Sequence, residues 1–364
     1  MKCKLLVGTT LLSFVLSTTF AQSASDAKKT SDAHKSADAK GTSDPQEAAV
    51  LDKQKMIDSL RSAGLDEYAI RYPMLRQGMF ATDFIGKGRV KSELNGQPLK
   101  EGEAAMHRIR SNFKLPLSQW GKNAITATVT YQQQRYEANS VTEYDPQNTA
   151  AEHFTLDKAT VGLSATYTRA DSLFNRPVFF SGTVTGVTDE LSSIKRLNYT
   201  FGVTLPIKRT PVTALTLGFV VIVDPSSVAP FIPVFSYWHK FKSADLELFA
   251  DVPSRVIVRK QLSKKSWATL GSELGGNLMF FDLNQPSLPQ DVAYSTLEIR
   301  SGGTFEYQVS KKIILGVNGG LYTTSSSRMF DRRDKPTDYF LKTQTGTVPY
   351  ISLSVSILPF LKRL

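Results

Sequence analysis

The sequence predicts an all-β protein, an antiparallel transmembrane β-barrel of about fourteen strands with a short helix and a disordered tether before it. Three observations predict this fold class. Apolar and polar residues alternate from about residue 79 to the end of the chain, the alternating segments are long, and short connections alternate with longer ones.

The alternation has a period of two residues. Residues 125–132 read Ile-Thr-Ala-Thr-Val-Thr-Tyr-Gln, and residues 351–357 read Ile-Ser-Leu-Ser-Val-Ser-Ile. Because successive side chains of a strand point to opposite sides of a sheet, each such segment has one apolar and one polar face. The polar faces are rich in Thr, Ser, Gly and Gln rather than Lys and Glu, which is typical of a wet, crowded lumen.

The length of the segments separates two architectures that share this alternation. A soluble β-sandwich uses strands of about five or six residues. Several segments here alternate over ten or more residues, whereas a tilted strand needs about 9–11 residues to cross the apolar part of a membrane. The sandwich is the alternative, and the length favours the barrel.

Fourteen strands are expected within a barrel domain that covers residues 75–364. An even number places both chain ends on the periplasmic side. The segments on either side of Pro253 are short, so twelve strands is the alternative. The expected strands are 79–92, 104–117, 122–137, 153–169, 176–188, 194–208, 212–223, 230–242, 244–252, 254–262, 266–282, 292–309, 311–325 and 345–358.

The connections between these strands give independent support. Outer-membrane barrels have short periplasmic turns and longer outer loops. In this sequence short links alternate with long ones, namely 206–211, 263–265 and 310–311 against 138–152, 283–291 and 326–344.

Residues 1–21 have the pattern of a signal peptide. Lys2 and Lys4 form a positive start, an apolar stretch follows over 5–20, and small residues precede a cleavage site at Ala21. Polar residues and Gly8 interrupt the apolar stretch, which is short for the roughly 20 residues that a membrane helix needs. We therefore expect cleavage and export to the outer membrane of a Gram-negative bacterium.

Two segments lie between the signal peptide and the barrel. Residues 22–46 contain successive hexads such as Ser-Asp-Ala-Lys-Lys-Thr, without large apolar side chains, and are expected to be a disordered tether. Residues 47–63 are expected to form a short periplasmic helix that ends at Gly64. This helix would either plug the periplasmic mouth of the barrel or simply lead into it.

Aromatic residues are frequent near the ends of the expected strands. Amphipathic rings suit the two membrane interfaces, so the sequence predicts two aromatic girdles. The residues assigned to them are Trp120, Tyr136, Phe154, Phe231, Tyr237, Trp238, Trp267, Phe280 and Phe281.

The chain resembles the uncharacterised outer-membrane β-barrel proteins of Gram-negative envelopes over roughly residues 75–364. The resemblance implies the barrel and assigns no functional residue. The last residues depart from the usual pattern, because Leu361-Lys-Arg-Leu364 follows the aromatic Phe360. The features that carry the resemblance are the Ala21-Gln22 junction, Leu115-Pro116, Leu205-Pro206, Val252-Pro-Ser-Arg-Val256, Leu270-Gly-Ser-Glu-Leu-Gly-Gly276 and the closing strand to Phe360.

The sequence predicts no enzyme and no cofactor or metal site. The single cysteine, Cys3, lies within the signal peptide and away from its cleavage site, which excludes thiol chemistry in the mature chain. His107 and Ser111 are four residues apart in one strand, about 13 Å at the usual rise, too far for a serine and its general base to touch. His107 is expected on the outer face.

Ten charged residues fall at inward positions of the expected strands. One interpretation is an internal salt-bridge network in a closed lumen, and the other is a water-filled path with a positive bias. Arg108 and Arg110 are adjacent on the inward side of a strand without acidic residues, which predicts weak anion selectivity. The candidate lumen charges are Arg108, Arg110, Lys114, Lys158, Arg196, Arg259, Arg300, Glu247, Glu273 and Glu298.

The net charge constrains the partners. The chain carries +11, and loss of the signal peptide leaves +9. An exported chain meets lipid phosphates and anionic solutes rather than nucleic acid, so we expect outer-membrane lipid and small anionic solutes as partners; no protein partner is assigned. The leading hypothesis is a porin-like or solute-transport channel with slight anion bias. The alternative is a closed structural or interaction barrel that docks a partner through its loops or its periplasmic helix.

Overall fold

The computed structural model describes residues 64–143, 152–190, 192–224, 227 and 229–361. These residues form an almost entirely β structure, a closed ring of antiparallel strands. The expected signal peptide (1–21), tether (22–46) and helix (47–63) lie outside the described residues and stay predictions.

Fifteen strands of the described residues make up the ring, and each strand from β2 to β14 lies beside its predecessor. They are β1 (Gly78–Leu94), β2 (Gln97–Trp120), β3 (Asn123–Glu143), β4 (Glu152–Leu173), β5 (Arg176–Thr188), β6 (Arg196–Arg209), β7 (Thr213–Val223), β8 (Phe231–Phe241), β9 (Leu246–Val252), β10 (Arg255–Ser263), β11 (Ser266–Asp282), β12 (Asp291–Gln308), β13 (Ile313–Asp331), β14 (Leu341–Thr345) and β15 (Val348–Ile357).

The ring closes between its first and last strands. Both β14 and β15 pair with β1 on one side and with β13 on the other. Together they form a single stave of the barrel, interrupted only at residues 346–347, so the fifteen strands make fourteen staves. The predicted transmembrane β-barrel of about fourteen strands is therefore confirmed. The alternative of twelve is wrong, because β9 and β10 are both present beside Pro253.

The two ends of the barrel differ in the length of their connections. The end that holds the start of β1 and the end of β15 has turns of two to four residues between strands. Most connections at the opposite end are longer, as predicted. Two of the predicted loops are shorter than expected, because β3 continues to Glu143 and β13 to Asp331. A tight turn at Asn95-Gly96, where both residues have positive φ, joins β1 to β2.

The outside of the barrel is apolar and the inside is polar. On β4, for example, Leu163 is 60 % exposed while Ser164 and Thr166 are buried; on β11, Leu270 is 66 % exposed. Side chains of opposite parity therefore separate into a lipid-facing and a lumen-facing set, as in a transmembrane barrel. No helix within the described residues has the length and apolar character to cross a membrane.

This surface leads to a prediction about solubility. In water the apolar outer face has no partner surface, whereas in lipid or detergent the closed ring satisfies its backbone hydrogen bonds internally. We expect β-rich circular dichroism and heat-modifiable gel mobility only in detergent or lipid. A monodisperse, folded protein in detergent-free buffer would contradict the transmembrane assignment.

The aromatic girdles are only partly as predicted. Trp120, Phe154 and Phe231 are exposed on the outer face. Tyr237 has the same parity as Phe231 on β8. The assignment is wrong for Trp238, Trp267 and Tyr136, which their strands place at inward positions, the first two buried and the last partly so. It is also wrong for Phe280, which has the outward parity of Leu270 on β11 but is buried in a cluster with Val187 of β5. Phe281 also faces the interior, where the ammonium of Lys158 lies 4.9 Å from the centre of its ring.

Three glycines lie side by side across β11, β12 and β13. Gly271 pairs with Gly302, and Gly302 with Gly320. A Cβ atom on Gly302 would lie 2.2 Å from the carbonyl oxygen of Gly319, and one on Gly320 would lie 2.1 Å from that of Ser301. The neighbouring backbones leave no room for a side chain here. We call Gly271, Gly302 and Gly320 the glycine row; such positions permit tight bends in barrel strands.

Candidate functional site: a plugged lumen

Residues 64–77, which we call the plug, precede β1 and cross the lumen near the end that carries the chain termini. Residues 64–71 are helical and a 3-10 turn follows at Pro73–Leu75. The prediction that a helix stops at Gly64 is wrong, because Gly64 lies within the helical segment. Side chains later in this helix contact the barrel wall, and that packing outweighs the low helix propensity of glycine.

One side of the plug is anchored to the stave pair β12–β13 and to β15. Arg76 donates two hydrogen bonds to the carboxylate of Glu306 at 2.6 and 3.0 Å, and a third to Ser356 at 3.1 Å. The ammonium of Lys312 lies 2.7 Å from the carboxylate of Asp66. Arg76 is almost fully buried, so this bidentate pair is a charge-assisted contact away from bulk water.

The plug also contacts strands β8, β9 and β10, which lie two to four positions from β12 in the ring. Tyr72 packs in a buried cluster with Trp238, Phe249 and Ile257 of β8, β9 and β10. Burial raises the pKa of Tyr72, and the carboxylate of Asp251 raises it further, so the phenol stays protonated. Beside this cluster, two polar contacts bind the plug to the same wall: Arg71 to Glu247 at 3.2 Å and Arg209 to the hydroxyl of Tyr68 at 2.9 Å.

A third set of contacts ties the plug to β2 and to the end of the chain. The side-chain amide of Gln77 donates to the carbonyl oxygen of Lys114 at 2.5 Å, and its oxygen accepts hydrogen bonds from the backbone of Phe360 and Leu361. The ammonium of Lys114 donates to the carbonyl oxygen of Met74. The plug is thus held on three sides of the lumen.

A second layer crosses the lumen near its middle. Arg108 of β2 donates to both carboxylate oxygens of Glu298 of β12, at 2.8 and 2.9 Å, and to the hydroxyl of Tyr322 at 3.1 Å. Strands β2 and β12 are not neighbours, so this pair spans the interior. Their side chains are only 3 % and 2 % exposed. Arg110 is bidentate to Asp83 at 2.9 Å.

A third closure lies in the outer half, where the hairpin formed by β11 and β12 contacts distant staves. The hydroxyl of Thr160 on β4 donates to the carbonyl oxygen of Leu278 on β11 at 3.3 Å. The ion-aromatic contact between Lys158 and Phe281 joins the same two strands. Phe280 packs in a buried cluster that includes Val187 of β5, together with Ala293, Phe330, Leu278 and Tyr339.

The structure places the remaining predicted lumen charges as follows. Arg196 is bidentate to Asp224 at 2.9 Å, and Arg259 lies 3.2 Å from Glu247. Glu273 and Arg300 are opposite each other in the β11–β12 ladder. With the contacts already given, all ten predicted side chains lie on the inner side of the barrel.

The expectation that Arg108 and Arg110 lack neutralising acids is wrong. Their partners come from other strands, Glu298 from β12 and Asp83 from β1. Asp83 was not predicted as a lumen charge. It lies on β1 at an inward position between the inward residues Ala81 and Ile85, and this alternation could have identified it. The acids Glu306, Asp224 and Asp251 were missed as well, and the first two hold arginines named above.

Two cavities lie close to these layers. One of about 110 Å³ lies in the outer half and one of about 10 Å³ lies beside the glycine row. The described residues therefore give a lumen that is crossed at three levels in this conformation.

Among the described residues, no group of three or more His, Cys, Asp or Glu side chains could hold a metal. His107 lies on the outer face beside Phe84, and its Nε2 is 2.9 Å from the hydroxyl of Thr82. Its contact is thus with a threonine of β1 rather than with Ser111.

Strand pairing, outward apolar side chains and a polar interior define the class of this protein, a transmembrane β-barrel of the outer-membrane type with an occupied lumen. The predicted resemblance to outer-membrane β-barrel proteins is thereby confirmed for the fold. No family model and no curated protein matches the chain.

Solved structures of outer-membrane proteins align with most of the chain. An outer membrane channel from Pseudomonas putida F1 shares 7 % identity with a TM-score of 0.29, over 78 % of this chain and 96 % of that one. The Acinetobacter baumannii outer membrane protein Omp33 shares 9 % sequence identity with a TM-score of 0.30, over 78 % of this chain and 98 % of that one. A Pseudomonas aeruginosa FadL homologue shares 8 % sequence identity with a TM-score of 0.27, over 82 % of this chain and 92 % of that one. At these values the fold assignment rests on the chain's own strand pairing.

Proposed function

We propose that this protein is a gated transport barrel for small polar solutes in the outer membrane of a Gram-negative bacterium, closed at rest by its plug. The observation that carries this proposal is the course of residues 64–77, which run across the lumen from β12, β13 and β15 to β8, β9 and β10. A barrel of fourteen staves is wide enough to need such a filling, since narrower barrels are filled by their own side chains.

The chemistry of the plug contacts suits a movable element. Asp66, Arg71 and Arg76 each form an ion pair with the wall. Charged groups that leave a partner inside an apolar core stay desolvated, which is costly. In a polar lumen that fills with water, both partners regain hydration when the plug moves. The net cost of opening is therefore mainly the exposure of the apolar cluster around Tyr72.

The proposal keeps a weak preference for anions but assigns it to different residues. Arg108, Arg110, Arg196 and Arg259 are neutralised by carboxylates. Two other predicted lumen cations, Lys158 and Arg300, form no ion pair within the described part of the chain; Glu273 forms none either and lies opposite Arg300 in the β11–β12 ladder. The bias from two cations against one carboxylate is small and fades with salt, because screening is strong beyond about 8 Å at physiological ionic strength.

A cross-link across the plug contact tests the gate. In the variant Asp66→Cys with Lys312→Cys, a short bis-thiol reagent should hold the plug against the wall. We expect single-channel openings under applied voltage for the untreated variant, their loss after cross-linking, and their return after reduction. The matched control is Lys240→Cys with Asp245→Cys, an exposed ion pair at the β8–β9 turn, whose cross-linking should leave the openings unchanged.

The second candidate is a closed structural or interaction barrel. It is favoured by the two further closures, the Arg108–Glu298 layer and the β4–β11 contact, which lie beyond the plug. Deleting residues 64–77 separates the candidates. A folded deletion variant that conducts supports the gated barrel. A folded one that stays closed to ions, or openings that persist in the cross-linked variant, would show that the plug is not the gate.

A further inference from the structure

The short-turn end of the barrel repeats one pairing of an apolar and a basic side chain. Six turns of the described residues lie at this end, which in outer-membrane barrels faces the periplasm. At each of them a large, exposed apolar side chain is followed one or two residues later by a lysine or an arginine. The pairs are Trp120 and Lys122, Phe174 and Arg176, Ile207 and Lys208, Phe241 and Lys242, Leu262 and Lys264, and Val309 and Lys311. We call the six cations the basic collar.

Most of the basic collar has no carboxylate partner. Lys122 lies 3.5 Å from Asp171, but the other five collar cations form no ion pair within the described residues. Among the residues that link the strands in the six turns, Asp245 is the only acid. The opposite end is different, because its loops carry at least as many acids as basic residues; these loops are 189–195, 224–230, 283–290 and 332–340. Uncompensated positive charge is therefore concentrated at the short-turn end.

The apolar member of each pair shows at which level of the membrane the cations lie. On the outer face the ring of Trp120 lies 6.4 Å from that of Tyr167, and such amphipathic rings mark the boundary between acyl chains and headgroups. The ring of Phe174 is 90 % exposed at the tip of its turn. Its backbone has a φ of 51°, which bulky residues rarely adopt. A soluble anionic polymer would leave these apolar groups in water, whereas lipid would cover them.

We propose that the basic collar binds anionic phospholipids of the periplasmic leaflet. Each apolar side chain lies among the acyl chains, and the neighbouring cation reaches outward to a headgroup phosphate, with which it forms a charge-assisted hydrogen bond. Because five of the six cations lack a protein counter-charge, headgroups with a net negative charge are preferred over zwitterionic ones. The surface lies outside the lumen, so the proposal holds whether or not the barrel conducts.

Spin-labelled lipids test the preference on the full-length protein refolded into phosphatidylcholine vesicles. Electron spin resonance separates lipids immobilised at the barrel surface from bulk lipids, and so compares labelled phosphatidylglycerol with labelled phosphatidylcholine. At low salt we expect phosphatidylglycerol to associate about threefold more strongly. The ratio should fall toward one in concentrated salt, because screening then acts beyond about 3 Å. A ratio of one at low salt would overturn the proposal.

Two variants locate the preference on the basic collar. Replacing the five uncompensated cations with glutamine should abolish it: Arg176→Gln, Lys208→Gln, Lys242→Gln, Lys264→Gln and Lys311→Gln. If that variant does not fold, Lys264→Gln with Lys265→Gln removes two exposed cations from one turn and should lower the ratio. The matched control, Arg333→Gln with Lys335→Gln, removes the same charge from an exposed loop at the opposite end and should leave the ratio unchanged. A preference that persists in the folded collar variants, or that the control lowers equally, would overturn the proposal.

Discussion

Replacing Glu298 with glutamine is expected to lower the free energy of unfolding in detergent by about 3–5 kcal/mol. The substitution keeps the size of the side chain but leaves the guanidinium of Arg108 buried without its counter-charge, and breaking one side of a buried pair carries a cost of this size. The bidentate contact at 2.8 and 2.9 Å and the near-complete burial of both side chains place this pair in that class. Equilibrium unfolding in guanidinium chloride measures the change.

Two controls decide what the loss means. Glu137→Gln removes a carboxylate from an exposed contact with Arg135 at 3.4 Å, and should change stability by less than about 1 kcal/mol. The double variant Arg108→Met with Glu298→Leu removes both charges and should regain most of the lost stability, since apolar residues of similar volume often replace buried pairs without cost. If Glu298→Gln is as mild as Glu137→Gln, the middle of the lumen is wet and the second closure is not a packed layer.

The barrel could be predicted from the sequence because alternation is a local signal. Residues 176–188 and 266–282 were predicted as strands, and the structure has β5 and β11 with the same bounds. The alternation within each strand predicts which side chains face lipid and which face the lumen, and strands that are consecutive in the chain pair with each other. The count of fourteen staves needed no long-range information. The interruption of the last stave at 346–347 was not predicted, because the short strand β14 stands where a loop was expected, and strands β2, β3 and β13 extend beyond their predicted ends toward the outer side.

The contents of the lumen could be predicted only in part. Parity along a strand shows that Arg108 points inward, but not that Glu298, 190 residues later, meets it there. The partner depends on the curvature of the ring and on the hairpin of β11 and β12 leaning across it. Trp238 was assigned to a girdle because it is aromatic and near a strand end. Its strand is apolar on both faces, and its position along the strand places its side chain on the inner face. A plug was predicted only as one alternative for residues 47–63, which lie outside the described part of the chain, and residues 64–77 fall between that helix and the first predicted strand at 79–92.

The glycine row provides the second large effect, and Gly302→Ala is expected to destabilise the barrel by about 3 kcal/mol, the upper end of overpacking costs. The added methyl group would lie 2.2 Å from the carbonyl oxygen of Gly319 and 2.8 Å from the Cα atom of Gly320. Both obstacles are backbone atoms of the neighbouring strand, so no side-chain rotation relieves the clash, and β12 and β13 must move apart.

Gly275→Ala is the matched control, because Gly275 is also a glycine on the inner side of β11 but has its nearest neighbour, a nitrogen of Arg300, at 3.8 Å. Alanine there fits and should be neutral or stabilise slightly, since glycine is entropically costly in a strand by about 0.5–1 kcal/mol. Unfolding in guanidinium chloride compares the two variants. We infer that the row also lets β11 and β12 bend inward toward β4, so Gly302→Ala barrels that fold should show more frequent openings in planar bilayers. Equal stability of the two variants would mean that the strands are not in close approach at this level, and the row would then have no part in closing the lumen.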